Sequence, residues 1–597
     1  MSRYLDSLSL DISSLTTQYQ KGMSPVEVIR TIYKRIAVQS DNPIWIALLP
    51  EDEVLKTAEA LLEKEIEALP LFGIPFAVKD NIDVAGIPTT AGCPGFSYVP
   101  ERHATVVQKL LSAGALLIGK TNLDQFATGL VGTRSPYGAC RNVFNPEYIS
   151  GGSSSGSAVA VAAGLVSFAL GTDTAGSGRV PAAFNNIVGL KPTRGLLSTS
   201  GVVPACRSLD CVSVFALTCL DAQRILAIAQ GFDSQDGYSR RPPEIHPGSV
   251  TSFHFGVPAS GELNFFADEE YRLLFEQSVP NLEAIGGIPV EINFAPFRET
   301  AQLLYSGPWI AERYGAIQTF LTQHPDQILP VTREILNAAL GYSASDVFSG
   351  FHRLEELRQL TALEWEKMDI LALPTTGTIY KIQDVEANPL QLNNNLGYYT
   401  NFLNLLDLSA IALPAGFRND GLPFGITLIA PAFHERQLCS IGSAYHQVIG
   451  GMGATAATLP VTNIEADPNQ IQVAVVGAHL TGQPLNHQLT SRGAKLLKTT
   501  HTAPIYKFYA LTGTTPPKPG LIRLDGEPGH AIEVEVWEMP HTHFGSFMAE
   551  IPSPLGIGTL LLETGESVLG FICETYAVAS ARDISSYGGW RAYLASL

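Results

Sequence analysis

GGSSSGSAVAVAAGLVSFALGTDTAGSGRVPAAFNNIVGLKP, residues 151–192, is the most informative stretch of this chain. Its two clusters of serine and glycine flank a run of small apolar residues, 158–166, that predicts a helix. Because a glycine-rich turn that opens a helix leaves backbone N–H groups unpaired, such a turn is suited to holding a negatively charged oxygen. The second cluster, 171–179, places small residues on both sides of Ser177. It predicts an oxyanion hole formed by the N–H groups of residues 174–177.

Two other interpretations of these clusters are weaker. A phosphate-binding P-loop requires GxxxxGK[ST], and no lysine follows Gly156 or Gly176. A merely flexible loop would not be flanked by so apolar a helix and by the strand-like run 165–173. Neither Ser153 nor Ser177 lies in a GxSxG motif, so a Ser-His-Asp arrangement is not indicated.

A lysine in an apolar run supplies a candidate base for the serine. Lys79 lies in FGIPFAVKDNID, residues 72–83, which predicts a buried strand. Burial lowers the pKa of a lysine, and the neutral amine is a competent general base. The alternative is a lysine whose amine extends to solvent or is ion-paired, with Asp80 or Asp83 as its partner.

Outside these segments, helices alternate with short apolar strands up to about residue 450, which predicts an α/β fold around a mostly buried sheet. Residues 24–39 predict a helix that Ser24 caps, and residues 52–68 predict a second helix. The segment 456–470 resembles a linker, since it is rich in Ala, Thr and Pro without periodicity. Residues 1–455 are therefore predicted to form one large domain. Residues 471–597, rich in β-branched and aromatic side chains, predict a separate small β-rich α+β domain.

Composition excludes several classes of protein. The net charge is −18 and no basic run is present, so a nucleic-acid partner is not expected. Seven cysteines without CxxC pairing favour a reducing compartment and argue against structural zinc. His541 and His543 lack acidic neighbours and predict a turn rather than a metal site. No signal peptide or membrane span is apparent, so we expect a cytoplasmic protein without cofactor or metal.

Four segments resemble the amidase signature family over roughly residues 1–450. They are PFAVKDNID (75–83), GGSSSGSA (151–158), GTDTAGSGRVPAAFNNIVGLKPT (171–193) and LPAGFRNDGLPFGITLIA (413–430). The resemblance implies that this domain has a mixed sheet flanked by helices. It also implies that Lys79 is the base, that Ser153 on a cis peptide relays protons, and that Ser177 is the acylating nucleophile. The implied substrate-binding residues of this part of the chain are Thr174, Ala175, Gly176 and Gly129.

Departures from the family pattern point to the substrate. The usual DTGGSIR reads DTAGSGR here, and Gly178 is expected to remove a bulky side chain next to Ser177. In LLYSGPWIAERY (303–314), Tyr305 and Arg313 are eight residues apart and would share a helix face, although Gly307 and Pro308 lie between them. An arginine facing the site would bind a carboxylate through two hydrogen bonds. Surface pairing of Arg313 with Glu312 or Glu299 is the alternative.

These features together resemble the allophanate hydrolases. The resemblance implies Ser-Ser-Lys hydrolysis of allophanate (urea-1-carboxylate), a small anion, to ammonia and carbon dioxide, with Arg313 and Tyr305 on the carboxylate. It is the second step of ATP-dependent urea degradation, so a separate urea carboxylase is the expected metabolic partner. The alternatives are another small-amide amidase, the amidase component of a glutamine amidotransferase, and a non-catalytic binding protein on the same scaffold.

The C-terminal domain resembles the extra domain of allophanate hydrolases, which is similar to γ-glutamylcyclotransferase folds. That resemblance associates the domain with decarboxylation of a carboxycarbamate product. His487 is the predicted catalytic residue, and His487 and Lys507 are candidates for binding a small anion. A scaffold or dimerisation role is the alternative, and a homodimer is expected.

Overall fold

The chain divides into two compact units, and each is described here by itself. The units are Met1–Thr462 and Asn463–Leu597. The computed structural model describes residues 8–243, 252–454, 459, 470–524 and 526–597. The predicted linker, 456–470, lies outside these described residues except for Leu459 and Gln470.

A single mixed sheet is the centre of the first unit. Its eleven strands, counted within the described residues, run in the order β1-β3-β2-β4-β6-β5-β10-β11-β9-β7-β8. The strands are β1 Trp45–Leu48, β2 Pro75–Lys79, β3 Leu116–Thr121, β4 Phe168–Asp173, β5 Val188–Lys191, β6 Cys211–Ala216, β7 Phe253–Pro258, β8 Gly287–Ile292, β9 Ile370–Pro374, β10 Ser409–Phe417 and β11 Pro423–Ala430. The predicted α/β class with a mostly buried mixed sheet is confirmed.

Helices flank this sheet and bury their apolar faces against it. They are α1 Ile12–Gln20, α2 Pro25–Val38, α3 Glu51–Leu61, α4 Thr105–Ser112, α5 Ser155–Ala162, α6 Val180–Phe184, α7 Cys219–Ala229, α8 Glu269–Ala284, α9 Ala295–Ser306, α10 Trp309–Gln323, α11 Pro330–Asn337, α12 Ala344–Trp365, α13 Ile382–Ala387, α14 Gln391–Leu396 and α15 Glu435–Ile449.

Local sequence signals account for several of these boundaries. Ser24 forms a capping box with Glu27 at the start of α2, which confirms that predicted helix. The helix predicted over 52–68 ends at Leu61, and a short 3₁₀ turn follows at Ile66–Ala68. Helix α5 consists of small residues and is buried throughout, because it lies against β4 and β2 in the middle of the unit.

The sheet brings the lysine strand to the serine–glycine stretch. β2 pairs in parallel with β4, and Val78 lies opposite Leu170. Because parallel strands end at the same edge of a sheet, Lys79 at the end of β2 comes next to Thr172 near the end of β4. Ser153 lies two residues before the start of α5, and Ser177 lies in the loop between β4 and α6. All of these chemical groups therefore meet at one edge of the sheet.

The second unit is β-rich, as predicted. Five strands form one sheet in the order β13-β16-β12-β18-β17, and three form another in the order β15-β14-β19, within the residues described. The strands are β12 Gln470–Val475, β13 Lys495–His501, β14 Tyr506–Ala510, β15 Pro519–Arg523, β16 Glu533–Pro540, β17 Leu555–Leu561, β18 Ser567–Cys573 and β19 Arg582–Asp583, and the helices are α16 His487–Thr490, α17 His541–Met548 and α18 Trp590–Leu594.

The histidine pair of the second unit tests one further sequence expectation. His541 and His543 begin α17, so the prediction that they form a turn is wrong. All seven cysteines are free and buried. Throughout the described ranges, no helix combines the length and apolar character needed to cross a membrane.

Candidate active site

Three side chains form a continuous hydrogen-bonded chain at the sheet edge. Lys79 Nζ donates to Ser153 Oγ at 2.7 Å, and Ser153 Oγ donates to Ser177 Oγ at 2.9 Å. Lys79 Nζ also donates to Thr172 Oγ1 at 2.8 Å. The peptide bond between Gly152 and Ser153 is cis, in agreement with the expectation from the family resemblance. This geometry is suited to passing a proton from Ser177 to Lys79 through Ser153.

Burial sets the charge state of Lys79, which is 0% exposed. It lowers the pKa of Lys79 to about 7, although the carboxylates of Asp124, Asp210 and Asp173 favour the ammonium form. The positive charge of Arg313 lowers this pKa further. A substantial fraction of Lys79 is therefore the neutral amine at neutral pH.

The two carboxylates that the sequence offered as ion-pair partners are occupied elsewhere. Asp80 Oδ1 lies 3.0 Å from Lys120 Nζ. Asp83 accepts hydrogen bonds from the hydroxyls of Thr89 and Tyr98. Within the described part of the chain, no carboxylate forms an ion pair with Lys79, so the alternative of an ion-paired lysine is wrong.

A buried ion pair fixes the loop that carries Ser177. Arg179 Nε lies 2.9 Å from Asp173 Oδ2, and Arg179 Nη2 lies 2.9 Å from Asp173 Oδ1. Burial by itself raises the pKa of Asp173, but Arg179, Lys191 and the N–H group of Gly178 together outweigh burial and leave that pKa lowered. The same carboxylate accepts from the N–H groups of Gly176 and Gly178, at 3.0 and 2.9 Å. It therefore holds the backbone on both sides of Ser177.

This arrangement corrects the predicted oxyanion hole. The N–H group of Gly176 already donates to Asp173, so it is not available to a substrate oxygen. The N–H groups of Thr174, Ala175 and Ser177 have no hydrogen-bond partner among the described residues. Gly176 is instead required for its backbone conformation and for its close contact with Thr400. Its φ is +141°, and a Cβ there would lie 2.5 Å from Thr400 Oγ1.

Gly178 also has a role different from the expected one. A Cβ at Gly178 would lie 2.5 Å from Ser213 Cβ on β6 and 3.1 Å from Asp173 Cβ. The missing side chain thus permits close packing against the sheet, and the prediction that Gly178 clears space beside Ser177 is wrong. Ala175 is buried in an apolar cluster that also contains Cys206 and Trp309.

Sequence reasoning missed several groups around the chain of Lys79, Ser153 and Ser177. Thr172 lies inside the quoted stretch, and only the parallel pairing of β2 and β4 shows that its hydroxyl meets Lys79. Asp124 accepts from the N–H groups of Val131, Gly132 and Arg134, and no motif marked it. Gly129, which the resemblance implied, does lie at the site, since its carbonyl oxygen is 3.5 Å from Ser177 Oγ.

Arg313 and Tyr305 meet even though they belong to different helices. The chain breaks at Gly307 and Pro308 between α9 and α10, so the shared helix face does not exist. The Arg313 guanidinium nonetheless lies over the Tyr305 ring, 5.2 Å from its centroid. Arg313 is 2% exposed, and none of its three guanidinium nitrogens has a hydrogen-bond partner within the described residues.

The electrostatic surroundings keep Arg313 charged and connect it to the nucleophile loop. Burial opposes the charge, but Tyr305, Cys206 and the carboxylates of Asp210 and Glu312 outweigh burial and leave the pKa of Arg313 raised. Asp210 accepts a short hydrogen bond from the Thr174 hydroxyl. A buried cation without protein acceptors beside a nucleophile is a suitable partner for a substrate carboxylate.

Neither predicted acidic partner binds Arg313. Glu299 forms an ion pair with Arg353, with Nε and Oε1 2.7 Å apart. Glu312 accepts from the backbone and the hydroxyl of Ser208. The alternative of a surface ion pair is therefore wrong.

His487 lies in a separate surface recess of the second unit. Its side chain is exposed, and its Nδ1 donates to the carbonyl oxygen of Pro484 at 2.9 Å. A carbonyl can only accept, so Nε2 carries the lone pair in the neutral ring. The lining residues of this His487 recess are His487, Gln488, Ser491, Arg492, His543, Ser546 and Glu550. Lys507 is not among them, and Arg492 is a basic residue of this recess that sequence reasoning missed.

Comparison with known families covers both units. Residues 27–439 match the amidase family, described as "Amidase". Residues 471–595 match the family described as "Allophanate hydrolase C-terminal domain".

Individual relatives cover different shares of the chain. An allophanate hydrolase from Kluyveromyces lactis is 41% identical, covers 99% of this chain and 100% of its own, and superposes with a TM-score of 0.80. The urea amidolyase of Saccharomyces cerevisiae is 44% identical over 97% of this chain, which spans only 33% of that protein. A glutamyl-tRNA(Gln) amidotransferase component from Prochlorococcus marinus is 33% identical over 72% of this chain and 96% of its own.

Proposed function

This chain belongs to the amidase family, and from that premise we propose that it hydrolyses allophanate to ammonia and carbon dioxide. The observation that carries the proposal is the buried Arg313 guanidinium, which has no hydrogen-bond acceptor in the described residues and whose charge acts on Lys79 of the hydrogen-bonded chain and on Asp210. A carboxylate on the substrate would satisfy this cation. The likeness to the Kluyveromyces lactis allophanate hydrolase over the whole chain supports the same substrate.

The first step forms an acyl-enzyme on Ser177. Neutral Lys79 accepts the proton of Ser153, which accepts the proton of Ser177. Ser177 Oγ then bonds to the terminal amide carbon of allophanate, and the carbonyl electron pair moves to its oxygen. The unpaired N–H groups of Thr174, Ala175 and Ser177 are the candidate donors to that oxyanion.

The second step releases the products. The relayed proton passes to the amide nitrogen, the C–N bond breaks, and ammonia leaves. Water then attacks the acyl carbon and gives its proton to the same relay, which frees Ser177 and yields carboxycarbamate. Burial of the relay supports this assignment, because a neutral lysine is required at the start of each cycle.

Arg313 orients the substrate in this proposal. A guanidinium binds a carboxylate through two parallel hydrogen bonds, which fixes the direction of the molecule as well as its charge. Tyr305 lies against the guanidinium and limits its movement. The far end of allophanate, its terminal amide, would then be the end presented to Ser177.

The second unit is proposed to decarboxylate carboxycarbamate to carbamate and carbon dioxide, with His487 as the residue in contact with it. The match of residues 471–595 to the allophanate hydrolase C-terminal domain supports this role. So does the Nε2 atom of His487, which has no hydrogen-bond partner among the described residues and faces a recess whose Arg492 is paired with Glu550.

The amidase component of a glutamine-dependent amidotransferase is the second candidate, since such a protein matches 72% of this chain. Ammonia release by the purified full chain from allophanate, malonamate and glutamine separates the two functions. We expect allophanate to be preferred, and a preference for glutamine would contradict the proposal. Ser177→Ala should abolish release, whereas Ser112→Ala, at an exposed serine, should not.

The proposed setting is urea breakdown in the cytoplasm. The urea amidolyase relatives are about three times as long as the matched region, which supports coupling to an activity that carboxylates urea. We propose a urea carboxylase activity as the metabolic partner and a homodimer as the assembly. Seven free cysteines are compatible with a reducing compartment.

A further inference from the structure

The guanidinium of Arg313 has no hydrogen bond among the described residues. The position of this side chain must therefore depend on how the rest of α10 is held. The neighbouring residue in α10, Glu312, is half-buried and makes several hydrogen bonds. Its carboxylate accepts from Ser208 N at 2.7 Å, from Ser208 Oγ at 2.6 Å and from Cys206 Sγ at 3.0 Å. Both oxygens of Glu312 are therefore used to hold α10 against the segment 205–210.

The same segment is attached to the nucleophile loop. Asp210 accepts from the N–H groups of Ala205 and Cys206, at 2.8 and 3.1 Å, and from the hydroxyl of Thr174. Thr174 lies three residues before Ser177. A continuous set of hydrogen bonds thus runs from the loop of Ser177 through Asp210 and the segment 205–210 to Glu312.

We propose that Glu312 is a positioning residue that sets the distance between the carboxylate-binding Arg313 and Ser177. This inference deepens the proposed function and rests on it. In this proposal, Glu312 does not contact the substrate. It fixes the helix position from which the Arg313 side chain extends, so its loss affects substrates that need Arg313 and spares those that do not.

The test compares two substrates of matched shape on the full chain. Allophanate carries a carboxylate, and biuret has a neutral amide in its place. Glu312→Ala and Glu312→Gln should each raise KM for allophanate, the alanine variant by about tenfold, because charged hydrogen bonds are lost. kcat/KM for biuret should stay unchanged. Ser208→Ala, which removes one donor to Glu312, should raise KM for allophanate less.

A double variant separates positioning from general stability. In an Arg313→Ala background, Glu312→Ala should add no further increase in KM for allophanate, because there is no guanidinium left to position. Glu299→Ala is the matched control, since Glu299 pairs with Arg353 and should leave both substrates unaffected. Thermal unfolding of each variant identifies any loss of fold. If Glu312→Ala does not fold, the KM values of Glu312→Gln and Ser208→Ala for the two substrates provide the test.

Two results would contradict the proposal for Glu312 without contradicting the proposed function. One is an equal loss of activity on allophanate and biuret in folded Glu312 variants. The other is a KM for allophanate in the double variant that equals the product of the increases caused by the two single substitutions. Failure of the proposed function is visible in the unmodified chain, which would then release no ammonia from allophanate, and the inference would fail with it.

Discussion

Lys79 is a base only while it is neutral, so its pKa controls the reaction at the scale of single residues. Burial lowers that pKa to about 7. Below it the ammonium form has no lone pair to accept the proton of Ser153, and above it the amine does. We therefore expect kcat/KM for allophanate to rise with pH and to reach half of its plateau near pH 7.

The measurement is a pH profile of ammonia release between pH 5 and 10. His487→Ala should show the same profile, which separates the contribution of Lys79 from that of the second unit. A rate that is still rising steeply at pH 10, as the ordinary lysine pKa of about 10.4 requires, would contradict a neutral Lys79 at physiological pH.

Arg313 is the residue that we propose to set the preference for a negatively charged substrate. Arg313→Ala should raise KM for allophanate by about ten- to a hundredfold, since a charged hydrogen-bonding group is lost, and should leave biuret unaffected. Arg313→Lys should recover little, because an ammonium cannot form the paired hydrogen bonds. The readout is initial ammonia release over a range of substrate concentrations. An unchanged KM for allophanate in Arg313→Ala would remove Arg313 from the site.

Sequence reasoning was most successful for residues inside continuous motifs. Lys79, Ser153 and Ser177 were named from their segments, and the structure brings them within hydrogen-bonding distance. Asp124 and Asp210 were not named, because their contacts depend on segments distant in the chain. Their catalytic and positioning roles, like those of the named residues, stay proposals.

At the scale of elements, the loop between β4 and α6 depends on the buried pair of Asp173 and Arg179. Asp173→Asn should lower the free energy of unfolding by about 3–5 kcal/mol, because it leaves a buried guanidinium without its counter-charge. It should also abolish ammonia release, since the same carboxylate holds the N–H groups of Gly176 and Gly178. Urea denaturation followed by circular dichroism measures the loss.

The control for this prediction is a pair on the surface. Glu299→Gln weakens an ion pair with Arg353 that is largely exposed, and should cost about 1 kcal/mol or less. Similar losses in the two variants would show that the buried pair has no special role in holding the loop.

The break between α9 and α10 shows what spacing alone cannot decide. The spacing of eight residues predicted that Tyr305 and Arg313 share one helix face. In the structure, one helix ends at Gly307 and another begins after Pro308. The two side chains still meet, because packing of α10 against the segment 205–210 places Arg313 over the Tyr305 ring. Helical periodicity is local, and this contact is tertiary.

At the scale of the whole molecule, we expect the two proposed reactions to be separable. His487→Ala should leave ammonia release from allophanate intact and slow the initial rate of carbon dioxide release. His541→Ala is the matched control, since His541 is exposed on the same unit but does not line the His487 recess. Parallel assays of both gases give the ratio. An equal loss of the two would indicate a structural role for His487.

The predicted division into 1–455, 456–470 and 471–597 stays a prediction, since most of the linker lies outside the described residues. The two compact units, Met1–Thr462 and Asn463–Leu597, follow from the density of contacts within each part. The fold class was predictable, because buried strands and amphipathic helices leave patterns with short periods in the sequence.

By itself, the sequence determined the α/β class and the family, and it was enough to propose Lys79, Ser153 and Ser177 as the reacting groups, because each lies in a continuous motif with local requirements. Only the tertiary structure decided what surrounds them. In the structure, the Gly176 N–H group donates to Asp173, and a side chain at Gly178 would meet β6. Arg313 is buried, and its guanidinium has no hydrogen-bond acceptor in the described chain. These outcomes depend on burial and on contacts between distant segments, and neither quantity is encoded in the spacing of residues along the chain.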